Sequence, residues 1–145
     1  MNDFTKALQD WTAEVKATMN GIFRDVVIEI GRSVVRLSPV DTGHFRGNWQ
    51  LTIDSEGSGE LSREDISGSA TIADIVSKAG TLTAGQVAYI VNHVEYGYDL
   101  EYGTYFGPTA KVTEEGFSRQ APEGVLRITA ARFSEIVNEA VRLNI

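Results

Sequence analysis

The triplet Asp41-Thr42-Gly43 is the stretch of this chain that most resembles a chemical site. In aspartic proteases an Asp-Thr-Gly turn holds a carboxylate that shares one proton with a second aspartate, in an apolar floor built by the preceding strand. Here the triplet follows Ser38-Pro39, where a helix is expected to end. The sequence therefore favours a structural turn, in which Asp41 accepts backbone N–H bonds and Gly43 adopts a positive φ.

Histidines and further carboxylates are the remaining candidates for chemistry. His44 and His93 lack the HxxxH or HxH spacing of a metal site. His44 could form a dyad with Asp41, but no motif places a serine beside it. Two of the carboxylates Glu95, Asp99 and Glu101 could form a general acid–base pair, although polar positions on a helical turn explain them more simply. We predict no catalytic, cofactor-binding or metal-binding residue and no enzyme; a small acid hydrolase using Asp41, or Glu95 with Glu101, remains an alternative.

Composition excludes several classes of protein. The 145 residues, 42% hydrophobic and 23% charged, can bury one core, so a single domain over 1–145 is predicted. The absence of cysteine excludes a disulfide framework and thiolate metal sites. A net charge of −7 argues against tight nucleic-acid binding, which needs clustered Lys and Arg. No apolar run approaches the ~20 residues of a membrane helix, so no membrane association is predicted.

The first third of the chain is predicted to be one long helix. Asn2 or Asp3 can cap its start, and Ser38-Pro39 stops it. Gly21 and Gly31 lie inside it and predict a kink or a close helix contact. Its apolar stripe is expected to face the core, but exceeds what a small domain can cover, which points to a partner subunit. The stripe consists of Phe4, Leu8, Trp11, Val15, Met19, Ile22, Val26, Ile30, Val34 and Leu37.

The middle of the chain alternates between strand and turn patterns. Residues 48–54 are predicted to form a strand with Trp49, Leu51 and Ile53 facing inward. The acidic, glycine-rich stretch Ser55–Asp65 is predicted to be a mobile loop, followed by a short helix at Ala70–Ala79. Residues 85–92 predict a second strand marked by Val87, Tyr89 and Val91.

The last part of the chain is punctuated by glycine and proline. A helical turn is predicted at Tyr96–Glu101, ended by Gly103. The stretch Tyr105–Phe117 is predicted to be a loop that leaves the body of the domain, which we call the excursion. The last helix is predicted to start at Pro122, a favoured first helical residue. The expected fold class is α+β, with the long N-terminal helix and the C-terminal helix packed on a small antiparallel β-sheet.

Three segments, in order, resemble a family of tailed-bacteriophage proteins. SPVDTGHFRGNW (38–49) is similar to the (S/T)PVDTGxLRxSW motif that follows a long N-terminal helix in phage neck and minor tail proteins. AYIVNHVEYGYDLEYGT (88–104) is similar to their YITNxxPYAxxLEYGT segment, and SRQAPEGVLRITAARF (118–133) resembles SKQAPxGMVRxTVxxF. The family comprises head–tail joining and tail-completion proteins, including lambda's tail-completion protein Z.

The resemblance implies a structural protein of the virion neck rather than an enzyme. It implies a homo-oligomeric ring, usually six-fold, between the head connector or stopper and the tail terminator or tail tube. DNA would pass through such a ring without sequence-specific binding, and the ring would be assembled in the host cytoplasm. A tail terminator or another minor tail protein is the alternative within this class. The residues that match the motifs are Asp41, Thr42, Gly43, Arg46, Asn92, Tyr96, Leu100, Glu101, Gly103, Gln120, Ala121 and Pro122.

The chain also departs from the family pattern. Glu95 stands where proline is commoner, and His44-Phe45 replaces a basic or aliphatic pair. The excursion Tyr105–Phe117 interrupts segments that many relatives join directly. Its three aromatic residues are candidates for partner contact, because exposed apolar clusters tend to be interaction sites. They are Tyr105, Phe106 and Phe117, and folding of Phe117 back onto its own domain is the equal alternative.

Overall fold

A computed structural model describes residues 2–104 and 111–145 and confirms the α+β prediction. A long N-terminal helix and a C-terminal helical pair surround a two-stranded antiparallel sheet, with two shorter helices between them. A 3₁₀ turn at Arg46–Asn48 precedes the first strand. In chain order the elements are α1 (Asp3–Leu37), β1 (Trp49–Ile53), α2 (Ser69–Ala79), β2 (Ala88–Asn92), α3 (Gly97–Tyr102), α4 (Leu126–Ala131) and α5 (Phe133–Asn144).

Helix α1 begins and ends where the sequence predicts. The side chain of Asn2 accepts a hydrogen bond from the Thr5 backbone N–H at 2.8 Å and so caps the first turn. At the other end Ser38 is extended, with φ −64° and ψ 132°, as expected of a residue before proline. Both terminal predictions are confirmed.

The two glycines of α1 lie at close helix contacts. A Cβ at Gly31 would lie 2.8 Å from the Ile75 side chain of α2, and one at Gly21 would overlap the Asn144 side chain of α5. The missing side chains therefore allow α2 and α5 to approach α1. Of the two predicted alternatives, the close contact is confirmed.

The sheet pairs β1 with β2 in antiparallel register, from Trp49 opposite Asn92 to Ile53 opposite Ala88. Trp49 and Leu51 are buried, and Ile53 packs against the core, so the predicted inward face of β1 is confirmed. The second strand is shorter than predicted. Ala88 and Ile90 lie opposite the inward residues of β1 and pack on the core, whereas Val87 precedes the strand and is exposed.

One core joins α1, the sheet, α2 and α3. Its fully buried centre includes Val34 and Val35 of α1, Leu51 of β1, and Ile75 of α2. A smaller cluster, Val26 with Ile136 and Ala140, holds α5 against α1. The second half of α1 is therefore covered, as the stripe predicts.

The predicted start of the last helix at Pro122 is wrong. Pro122 is exposed and lies in a run of turns, and the helix begins four residues later at Leu126. Gly124 has φ +84°, which a right-handed helix cannot include. The helical stretch is also interrupted at Arg132, so α4 and α5 are separate elements.

The segment Ser55–Asp65, predicted to be a mobile loop, is attached to the body over its second half. The buried Asn48 side chain donates to the Leu61 carbonyl at 3.1 Å and accepts from the Leu61 N–H at 2.6 Å. Arg63 donates to the carbonyls of Gly47 and Trp49 at 2.7 and 3.3 Å. These hydrogen bonds hold the second half of the segment in place. Its glycine-rich, acidic composition does not indicate them, because the bonding side chains of Asn48 and Arg63 pair with backbone groups distant in the sequence.

Candidate functional site

The Asp-Thr-Gly turn is built by Thr42 and Gly43 rather than by Asp41. Asp41 is exposed, and its carboxylate has no hydrogen-bond partner among the described residues, so the predicted turn stabilised by Asp41 is wrong. The Thr42 hydroxyl accepts from the His44 N–H at 3.2 Å instead. Gly43 has φ +88°, as predicted, and a Cβ there would lie 2.7 Å from the Asp65 backbone. The turn is a packing feature.

His44 does not form the candidate dyad with Asp41. Its Nε2 lies 3.1 Å from a Glu60 carboxylate oxygen, and its Nδ1 lies 3.3 Å from the Asn48 amide nitrogen. Both ring nitrogens therefore face the segment 48–61. A nucleophile activated by a histidine base needs that base within hydrogen-bond reach, and His44 has no hydroxyl partner among the described residues.

Hydrogen bonds from Arg46, and between the two ends of the first motif, fix the path of the chain where α1 ends. The Arg46 guanidinium donates to the carbonyls of Ile66 at 2.7 Å and Ser38 at 2.8 Å. The buried Ser38 hydroxyl donates to the Val34 carbonyl and accepts from the Trp49 indole N–H, both at 2.6 Å. The first and last residues of the motif are thus directly bonded, which fixes the turn between helix and strand.

Side chains of the second and third motifs bond to the first. Asn92, at the end of β2, donates to the Phe45 carbonyl at 2.9 Å. The Gln120 amide forms two bonds with the backbone of Val40, accepting from its N–H at 2.8 Å and donating to its carbonyl at 2.9 Å. Segments that lie 47 and 80 residues apart along the chain are joined in this way.

Glu101 joins the second motif to the third. Its buried carboxylate accepts backbone N–H bonds from Val125 at 2.6 Å, Leu126 at 2.8 Å and Arg127 at 2.8 Å, and the Arg127 side chain adds a bond at 3.2 Å. Burial would raise the pKa of Glu101, but these hydrogen bonds together outweigh it, so the pKa lies below its ordinary value. Glu101 is the N-terminal cap of α4, supplied from another helix.

Asp65 caps α2 in the same manner, and the sequence prediction missed it. The carboxylate accepts from the Thr71 N–H at 2.8 Å, the Thr71 hydroxyl at 2.7 Å and the Gly68 N–H at 3.1 Å. Burial would raise the pKa of Asp65, but the bonds from Thr71, Gly68 and Ser67 lower it below its ordinary value. The available signal was an aspartate shortly before a glycine and an apolar helical run.

The three motifs surround one cavity of about 770 Å³. Thr42 lines it from the first motif, Tyr96 and Leu100 from the second, and Gln120 from the third. The charged groups around it are of both signs: Asp41, Glu64, Asp99, Lys111 and Arg119. Such a rim offers contacts for a polar partner surface.

The remaining motif residues pack the region after α3. Leu100 and Ala121 are buried, and Tyr96 is exposed beside Phe45, with ring centroids 6.1 Å apart. Gly103 ends α3 with φ +81°, as predicted, and a Cβ there would lie 2.7 Å from the Phe117 ring.

The candidate contact residues of the excursion divide into two groups. Phe117 is half-buried against Gly103, and the Arg127 guanidinium lies 5.9 Å from its ring centroid, so Phe117 folds back onto its own domain. Tyr105 and Phe106 lie outside the described residues.

The first half of α1 forms a projecting arm, which we define as residues 3–19. Contacts with the body begin just after it: Asn20 accepts from the Ala84 N–H at 2.8 Å, and Arg24 donates to the Leu82 carbonyl at 2.7 Å. No residue of the arm is buried, and the whole arm lies within the described residues. At ~1.5 Å per residue the arm is roughly 25 Å long. The exposed part of the apolar stripe comprises Phe4, Leu8, Trp11, Val15 and Met19.

Residues 2–104 and 111–145 hold neither a metal cluster nor a membrane-spanning helix. Within these ranges, no group of three or more His, Asp or Glu side chains is arranged to hold a metal ion. No helix there is both long and apolar enough to cross a membrane.

Comparison with known proteins places the chain in no family. No protein-family model, no curated protein sequence and no solved structure gives a significant match to it.

Proposed function

We propose that this chain is a structural virion protein of a tailed phage, which forms a ring in the neck that joins the DNA-filled head to the tail. The observation that carries the proposal is the mutual bonding of the three phage-like motifs. Asn92, Glu101 and Gln120 each bond a segment belonging to another motif. The matched residues therefore specify one three-dimensional unit, which is what a shared fold requires of residues scattered along a chain.

Two physical features support an assembly role. The arm exposes a long apolar stripe, and contiguous apolar surface of this size is characteristic of protein–protein contact. The net charge of −7 suits a channel through which DNA slides, since an acidic lining repels phosphates. The ring partners in this proposal are the head connector or stopper on one side and the tail terminator or tube on the other.

The carboxylates that an acid hydrolase would use are not brought together among the described residues. The Glu101 carboxylate is occupied as a helix cap, and Asp41 is an exposed side chain. Glu95 is exposed as well. Within residues 2–104 and 111–145, none of these three carboxylates is paired with a second, buried carboxylate, as the acid–base pair of a hydrolase would be.

A deletion of the gene tests the proposed function. The deletion phage is expected to produce DNA-filled heads and separate, complete tails in electron micrographs, and purified wild-type chain added to the lysate should restore plaques. Tail tubes of irregular length would instead identify a terminator. Particles of normal infectivity without the chain would refute a role in joining.

The same plaque assay can show whether restoration depends on the bonds between the motifs or would be achieved by any folded form of the chain. Purified Gln120→Ala removes both bonds to the Val40 backbone and is expected to restore fewer plaques than wild type at equal concentration. Gln86→Ala is the matched control: its side chain makes one local bond, accepted from the Thr83 N–H within its own turn, so it should restore plaques fully.

A further inference from the structure

The arm is a helix half that no part of residues 20–104 or 111–145 buries. Short isolated helices are marginal in water, and most helical stability comes from packing of an apolar face. Within the body, α5 covers the stripe at Val26 through Ile136 and Ala140. Helix α5 ends at Asn144, whose amide bonds Asp25 at 2.7 Å, so the stripe continues uncovered beyond that point.

The uncovered stripe is large enough for a stable contact. Phe4 is 76% exposed and Trp11 61% exposed, and the other three members are exposed by 37–52%. With ~150–250 Å² for a large aromatic side chain, the stripe presents roughly 600 Å² per chain. Two such stripes would bury about 1,200 Å² together, the lower limit of a specific interface.

The spacing of the stripe allows a second copy of this chain to cover it. Successive members are separated by 4, 3, 4 and 4 residues, which is nearly symmetric about Trp11. Two copies laid antiparallel therefore match large residue to large residue: Phe4 opposite the partner's Met19, Leu8 opposite the partner's Val15, and Trp11 opposite the partner's Trp11.

The polar residues of the arm are compatible with the same arrangement. Lys6 and Asp10 point away from the stripe and already form an ion pair with each other at 3.0 Å. Ala7, beside the stripe, is small enough to permit close approach of a second helix. Leu143 and Ile145 at the end of α5 are exposed as well.

We propose that the arm binds the arm of a second copy of this chain, as an antiparallel helix pair with Trp11 at the two-fold axis. This pair is not the contact that would close the proposed ring, because a two-fold contact uses the same patch on both subunits and cannot by itself close a six-fold ring. It gives the free protein a dimeric state in which the apolar stripes are covered.

Sedimentation velocity on the full chain at about 100 µM tests the pairing. Wild type is expected to sediment as a dimer, and Trp11→Glu is expected to weaken the dimer at least tenfold. Ala13→Glu is the matched control, because it adds the same charge on the opposite face of the arm and should leave the dimer intact. A wild-type monomer, or a dimer equally stable in Trp11→Glu, would overturn the proposal.

Crosslinking through introduced cysteines tests the direction of the pair. The chain has no native cysteine, so every disulfide formed must join introduced residues. Leu8→Cys mixed with Val15→Cys should form a disulfide-linked heterodimer upon oxidation, whereas each variant alone should remain largely uncrosslinked. Efficient crosslinking of Leu8→Cys alone indicates parallel arms and refutes the antiparallel pair. A hexamer that depends on Trp11 also refutes it and places the arm on another surface of its neighbour. Plaque restoration by an arm variant addresses only the neck function, so the two proposals can fail separately.

Discussion

Replacing Glu101 by glutamine should destabilise the protein through loss of the α4 cap. Glutamine keeps one carbonyl oxygen but loses the charge and the second acceptor, while three backbone N–H donors remain. The Val125 N–H is the costliest to leave unpaired, because Val125 is 1% exposed. A buried unpaired donor costs ~1–3 kcal/mol and loss of a charged cap ~1 kcal/mol, so we expect a loss of about 2 kcal/mol for Glu101→Gln and about 4 kcal/mol for Glu101→Ala.

The effect should depend on pH in a defined direction. Because the pKa of Glu101 is lower in the folded state than its ordinary ~4.3, its stabilisation is complete above the unfolded pKa and is lost as the pH falls through the folded pKa. The difference between wild type and Glu101→Gln should therefore be full at pH 7 and shrink below about pH 4.

Urea unfolding followed by far-UV circular dichroism at pH 7 and at pH 3.5 measures both quantities. Glu95→Gln is the matched control, since Glu95 is an exposed glutamate of the same motif and its replacement should change the free energy of unfolding by less than ~0.5 kcal/mol. Equal stability of Glu101→Gln and wild type at pH 7 would refute the capping argument, and a difference independent of pH would refute the role of the charge.

Three further predictions concern the body of the fold. Asp65→Asn should lower the free energy of unfolding by about 1–2 kcal/mol at pH 7 and by less in acid, as measured by urea unfolding at both pH values. The loss is smaller in acid because the pKa of Asp65 is lowered in the folded state, so its stabilisation disappears as the pH falls through that pKa. Gly43→Ala should lower the free energy of unfolding by at least ~2 kcal/mol more than Gly59→Ala in the same assay, because both glycines have a positive φ but, of the two, only Gly43 lacks space for a Cβ. Equal losses would contradict the packing argument. Ser33→Ala and Thr129→Val remove partners of a buried 2.7 Å hydroxyl bond, so a double-mutant cycle should give ~0.5–1.5 kcal/mol of coupling, whereas strict additivity would exclude it.

Local patterns predicted the helices and strands well where neighbouring residues decide them. The three- and four-residue spacing of α1, its cap at Asn2 and its end before Pro39 all depend on residues within one or two turns. The same holds for the positive φ of Gly43 and for the end of α3 at Gly103. The prediction that the last helix starts at Pro122 was wrong. Proline is a favoured first helical residue, but Gly124 follows it with a positive φ, which breaks a helix.

Long-range polar contacts were beyond such patterns. The candidate motif residues were identified, but their bonding partners were not: nothing near Gln120 in the sequence indicates Val40, and nothing near Asn48 indicates Leu61. The attachment of the segment 55–65 was missed for that reason. Exposure of the arm depends on where α5 ends in space, which periodicity within α1 cannot define.

The capping of α4 by Glu101 has a consequence for how the native state opens. Helix α4 has six residues, too few to persist alone, and its first N–H groups are satisfied from α3. Any fluctuation that lifts α3 from the body therefore also releases α4, so the two helices should behave as one cooperative unit in hydrogen exchange. The amide of Val125, 24 residues from Glu101 along the chain, should show the same free energy of opening in hydrogen exchange as the amide of Leu100.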